Sequence, residues 1–111
     1  MYRLSTIVEE AYQKYSKLAD KRDLVFNLDF PDLTRRINSP SSVRKPLDIL
    51  LFSAMERAQK QVSLSVKKDY IVIRDDGVAL SPDQIKEIGK DFENVEIKSR
   101  VGFGTEIKIL L

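Results

Sequence analysis

Two periods of hydrophobicity run along the chain, and the places where one gives way to the other divide it into elements. From Leu4 to Leu18 the apolar positions Leu4, Ile7, Val8, Ala11, Tyr15 and Leu18 recur at helical spacing, which predicts an amphipathic helix with Thr6 and Glu9 as a capping box. Tyr12, Glu9, Glu10, Lys14 and Lys17 fall largely on its other side. Leu24, Phe26, Leu28 and Phe30 then alternate with Val25, Asn27 and Asp29, a half-buried strand that Pro31 stops. Leu33 to Ile37 is read as a short returning partner. A loop follows, with Ser39 or Ser42 as the cap of a second helix whose stripe is Val43, Leu47, Leu50, Leu51, Ala54 and Ala58. Ile49, Phe52 and Met55 widen that stripe, so this helix is expected to be the most buried, and Pro46 lies near enough to its start for the missing N–H to be tolerated.

Val62 to Val66 alternates again, and Tyr70 to Asp75 is a run of β-branched and aromatic residues; Lys67-Lys68-Asp69 between them predicts a hairpin. Ser81, Pro82 and Gln84 predict a short helix with a reciprocal cap, ending near Ile88 with Gly89 as its C-terminal cap. Val95 to Lys98 and Thr105 to Leu111 read as a last hairpin around Ser99 to Gly104. Helix, hairpin, helix, hairpin, short helix, hairpin is an α+β order. It predicts a two-layer α/β sandwich, with helices on one face of a mixed, mostly antiparallel sheet.

Length and composition narrow what such a fold can do. A chain of 111 residues, 42% hydrophobic and 32% charged, suits one folded domain over residues 1–111. With no cysteine and no histidine, disulfides, thiolate nucleophiles, the usual zinc sites and Ser-His-Asp chemistry are excluded, as is a phosphohistidine on this chain. The formal charge of +2 is spread along the sequence, so no strong nucleic-acid footprint is visible; Arg35-Arg36, Arg44-Lys45 and Lys67-Lys68 read as solvated surface. No apolar run approaches the roughly 20 residues of a membrane span, and the first residues lead into no signal-peptide core, so a cytoplasmic location is expected.

The candidate chemistry lies where the strand from Tyr70 ends in Asp75-Asp76-Gly77. Turn geometry alone accounts for such a triplet. Together with the order of elements, however, Ile73-Arg74-Asp75-Asp76-Gly77-Val78-Ala79-Leu80 and Ser99-Arg100-Val101-Gly102-Phe103-Gly104-Thr105 resemble two motifs of the histidine kinase-like ATPase domain. The nearest likeness is to the ATP-binding domain of sensor histidine kinases. The first motif is Asp-x-Gly-x-Gly, here with Ala79 for its second glycine, and the second is the Gly-x-Gly-Thr turn. The resemblance implies that Asp75 accepts a hydrogen bond from an adenine amino group, that Gly77, Gly102 and Gly104 let backbone approach the base, and that Thr105 helps to hold it.

The same resemblance marks what has gone. An asparagine box should hold magnesium and phosphates from the second helix, but its three places fall on Ile49, Ser53 and Glu56. Magnesium needs oxygen ligands, which an isoleucine does not supply. Asp48 and Glu56 are the nearest carboxylates, and helical spacing sends Asp48 to another face. Between Gly89 and Val95 there is also no room for the family's lid and phosphate loop, whether by nature or by trimming of a longer kinase. Phosphoryl transfer rests on positioning and electrostatics. The expectation is therefore a non-catalytic module with no catalytic residue, metal or cofactor, which binds a protein partner in two-component-type signalling. The alternatives are a minimal binder of ATP or ADP, with magnesium, through Asp75, Gly77 and Thr105, and an unrelated binding module with exposed aromatics at Tyr2, Tyr12 and Phe103.

Overall fold

The computed structural model describes residues 2–30, 36–37 and 40–111, for Tyr2 the backbone alone. Strand β1 (Tyr2–Arg3) leads directly into α1 (Leu4–Lys21), which buries Leu4, Ile7, Val8, Tyr15 and Ala19. The Thr6–Glu9 capping box does not form. Arg3 occupies the N-cap without a side-chain bond, because the fully buried Leu4 belongs to the helix and draws its start ahead of Thr6.

After β2 (Val25–Asp29) the chain reaches β3 (Arg36–Ile37), and here the expected first hairpin is corrected: β3 pairs antiparallel with β1, Tyr2 opposite Ile37. Leu33 to Arg35 lie outside the described residues. Strand β2 pairs instead in parallel with β4 (Gln61–Val66), setting Phe26 against Val62 and Leu28 against Leu64. A parallel pair needs a crossover, and α2 (Ser41–Arg57) supplies it. Pro40, already helical at φ −65 and ψ −29, is the N-cap of α2 and makes no side-chain cap bond. Ser42 is therefore inside the helix rather than capping it, and Ser39 lies outside the described residues.

Seven residues of α2 are buried, among them Val43, Leu47, Leu50, Leu51, Ala54 and Met55. They fill the sheet-facing side, so Ile49 and Phe52 do not widen the stripe; both are turned outward and 46% exposed. Pro46, also buried, is the sixth residue of the helix, too far in for its missing N–H to fall among the free first-turn groups. The Ser42 carbonyl that it cannot meet accepts from Asn94 Nδ2 at 3.0 Å, and the same amide donates to the Leu110 carbonyl at 3.2 Å.

Strands β4 and β5 (Tyr70–Asp75) form the predicted hairpin, and so do β6 (Val95–Arg100) and β7 (Gly104–Leu110). Between the hairpins, α3 (Pro82–Asp91) begins as predicted, with Ser81 and Gln84 capping each other. It runs past Ile88, however, so Gly89 lies within the helix. Phe92 ends it in extended conformation, its ring buried. The sheet order is β2-β4-β5-β7-β6, with one parallel pair and three antiparallel. Val62, Leu64, Ile71, Ile73, Ile107 and Ile109 point from it toward the helices and form the core. This is the two-layer α+β sandwich expected from the pattern. Among the described residues no helix is long and apolar enough to cross a membrane.

Candidate functional site

The helix-facing rows of β5 and β7 are apolar until their last pair, where Asp75 stands opposite Thr105. Both are buried, Asp75 with only 3% of its surface exposed. A carboxylate taken so far from water must be paired or hydrogen-bonded. Its Oδ1 accepts the Gly77 N–H at 2.9 Å, and its Oδ2 accepts Arg57 Nη2 at the same distance. Arg57 comes from the last turn of α2. Its Nη1 donates to Ser53 Oγ one turn back, and its Nε is buried with no hydrogen-bond partner among the described residues.

The two glycines nearest this carboxylate serve close packing of chain on chain. A β-carbon at Gly77 would overlap the carbonyl oxygen of Arg57, and one at Gly104 would overlap that of Asp75. Gly104 also has φ +84, which disfavours any side chain. Gly102 is different: it lies in the β6–β7 turn with open space about it. The hydroxyls form a second small network, in which Thr105 Oγ1 and Ser99 Oγ share a hydrogen bond of 2.8 Å. Ser99 Oγ also accepts the Leu80 N–H at 2.7 Å.

The structure thus brings Asp75, Gly77, Gly104 and Thr105 to one end of the sheet, and ties Ser53 to them through Arg57. Ile49 and Glu56 face outward from α2 and do not join. Asp48 also turns away, toward α1, where it accepts from Lys14 Nζ at 2.8 Å and from the Tyr15 hydroxyl at 2.7 Å. The Lys14 bond, helped by Tyr15, holds the Asp48 carboxyl below its usual range, while burial and Asp48 together push the Tyr15 phenol up. Asp76 plays a different part, accepting the backbone N–H groups of Gln59, Lys60 and Gln61 at 2.9 to 3.3 Å. Burial raises its pKa, but these three donors outweigh that and hold the carboxyl below the ordinary range.

A shallow groove runs from this end of the sheet between α2 and α3, lined by Ser53, Arg57, Leu80, Asp83, Gln84 and Glu87 with Ile88. Two carboxylates face it, and its guanidinium is held by Asp75. The first-turn N–H groups of α3, which would otherwise attract an anion, include the Gln84 N–H already taken by Ser81. Sequence reasoning missed Arg57 and Ser99. Arg57 carried a faint signal, lying one helical turn beyond Ser53, and Ser99 stood as a polar residue in the apolar row of β6.

Several solved structures share this architecture. The cytoplasmic segment of histidine kinase QseC is similar over 97% of this chain and 74% of its own, at 16% identity and a TM-score of 0.75. The catalytic domain of histidine kinase ThkA is similar over 98% of this chain and 93% of its own, at 13% identity and a TM-score of 0.71. Histidine kinase AdeS of Acinetobacter baumannii gives 98% and 65%, at 16% identity and a TM-score of 0.72, so this chain spans just under two thirds of that one. No protein-family model and no curated protein matches the sequence. The chain has the fold of the ATP-binding domains of histidine kinases.

Proposed function

We propose that this chain is a non-catalytic relative of the histidine-kinase ATP-binding domain that acts by binding another protein in a signalling pathway. The observation that carries the reading is the Arg57–Asp75 pair. The carboxylate that would accept a hydrogen bond from adenine is already bound by the Gly77 N–H on one oxygen and by the Arg57 guanidinium on the other. ATP with magnesium fits the residues present poorly at its other end too. Ile49 offers no oxygen to a metal, Ser53 Oγ accepts from Arg57, and Asp83 and Glu87 would repel phosphates along the groove.

Calorimetric titration of adenosine, ADP and ATP, with and without magnesium, tests this. The expected result is no binding of any of the three. Tight, magnesium-dependent binding of ATP overturns the reading, and binding of all three that Asp75→Asn abolishes replaces it with a minimal adenine binder.

A further inference from the structure

Away from the sheet end, the outer surface carries a second feature. Glu10 pairs with Arg44 and, one turn on, Lys14 with Asp48, so α1 and α2 lie side by side and run in the same direction. The groove between them is lined by Lys14, Tyr15, Leu18, Asp48, Ile49 and Phe52. Its floor is fixed, because the buried Tyr15 is pinned through its hydroxyl to both the carboxylate and the backbone carbonyl of Asp48. The Phe52 ring leans over it, tilted by 47° with ring centres 6.4 Å apart. Two neighbouring large apolar residues left half in water on the outer face of α2 are an interaction surface in waiting.

The charges beside the groove are lopsided. Lys14, Lys17 and Lys21 are spaced three and four residues apart, one exposed stripe of α1 that begins at the lysine bonded to Asp48 of α2, and Lys45 lies on the exposed face of α2. Lys17, Lys21 and Lys45 make no ion pair among the described residues. The carboxylates nearby are Glu10, held by Arg44, Asp48, held by Lys14, and Asp20 and Glu56, which have no ion pair among the described residues.

We infer that this groove receives an amphipathic helix of a partner protein, its apolar face on Phe52 and Ile49 and a row of carboxylates along the lysines of α1. Helix-in-groove docking uses anchors spaced by three and four residues, and complementary charge sets its orientation and its selectivity. The inference rests on the reading that the chain works through protein contacts, and it names where that contact is made and with what chemistry.

The test uses two synthetic helical peptides with the same leucine face, one flanked by glutamate and one by lysine, titrated into the protein and followed by NMR shifts. Only the glutamate peptide is expected to bind, more tightly at low salt, with shifts confined to α1 and α2. Phe52→Ala and the pair Lys17→Glu with Lys21→Glu should each weaken it by about tenfold or more. All three side chains are exposed, so thermal melts should show these variants folded. The inference fails if neither peptide binds, if the lysine peptide binds as well, or if the shifts lie elsewhere. It fails also if sedimentation finds a dimer that Phe52→Ala dissolves, which would make a second copy the occupant. Nucleotide titration of the same sample separates this outcome from the fate of the proposed function.

Discussion

At the scale of single residues, the chain is governed by what Asp75 needs. Its position at a strand end, on the buried row, could be read directly from the alternation of Ile71, Ile73 and the following glycine. Its partner could not. Whether an arginine on the last turn of α2 points to solvent or to a strand eighteen residues on is a matter of tertiary packing, and no local period encodes it. The pair makes a quantitative expectation. Arg57→Ala leaves a buried carboxylate uncompensated and should destabilise the fold by about 3–5 kcal/mol in urea unfolding. Adding Asp75→Asn to that variant should recover much of the loss, a non-additivity that a double-mutant cycle measures directly.

At the scale of elements, periodicity located the helices and the main strands, and the capping box placed the start of α3 to the residue. It failed where an element is chosen by its neighbours. The two-residue β3 has too few positions to show a period, and its partner lies at the far end of α1. Gly89 looked like a helix end, yet the pull of Phe92 into the core carries α3 beyond it. Within α2, the buried Pro46 leaves a carbonyl for Asn94 to meet, so one side chain joins the first turn of a helix to the last residue of β7. Asn94→Ala should lower stability by about 1–2 kcal/mol in chemical denaturation. The loss should shrink when Pro46→Ala restores a donor to the Ser42 carbonyl.

At the scale of the whole molecule, dimensions of 38 × 31 × 19 Å leave room for one layer of helices on one sheet, so most charged groups outside the Arg57–Asp75 pair stay near water. Asp48, Asp76 and Glu106 are all held below the ordinary carboxylate range, Glu106 chiefly by Arg74. A carboxyl whose folded pKa is depressed contributes stability that is fully present above its unfolded value and is lost as pH falls through the folded one. The melting temperature should therefore hold from neutrality down to about pH 4 and drop below it, less steeply for Asp76→Asn than for wild type. The buried pair at the sheet end also constrains how such a chain can change over generations. Either partner replaced alone sacrifices a large part of a total stability of about 5–15 kcal/mol. Single substitutions at either position thus lead through poorly folded intermediates, and a lineage that carries this pair is held to changing both residues together or neither.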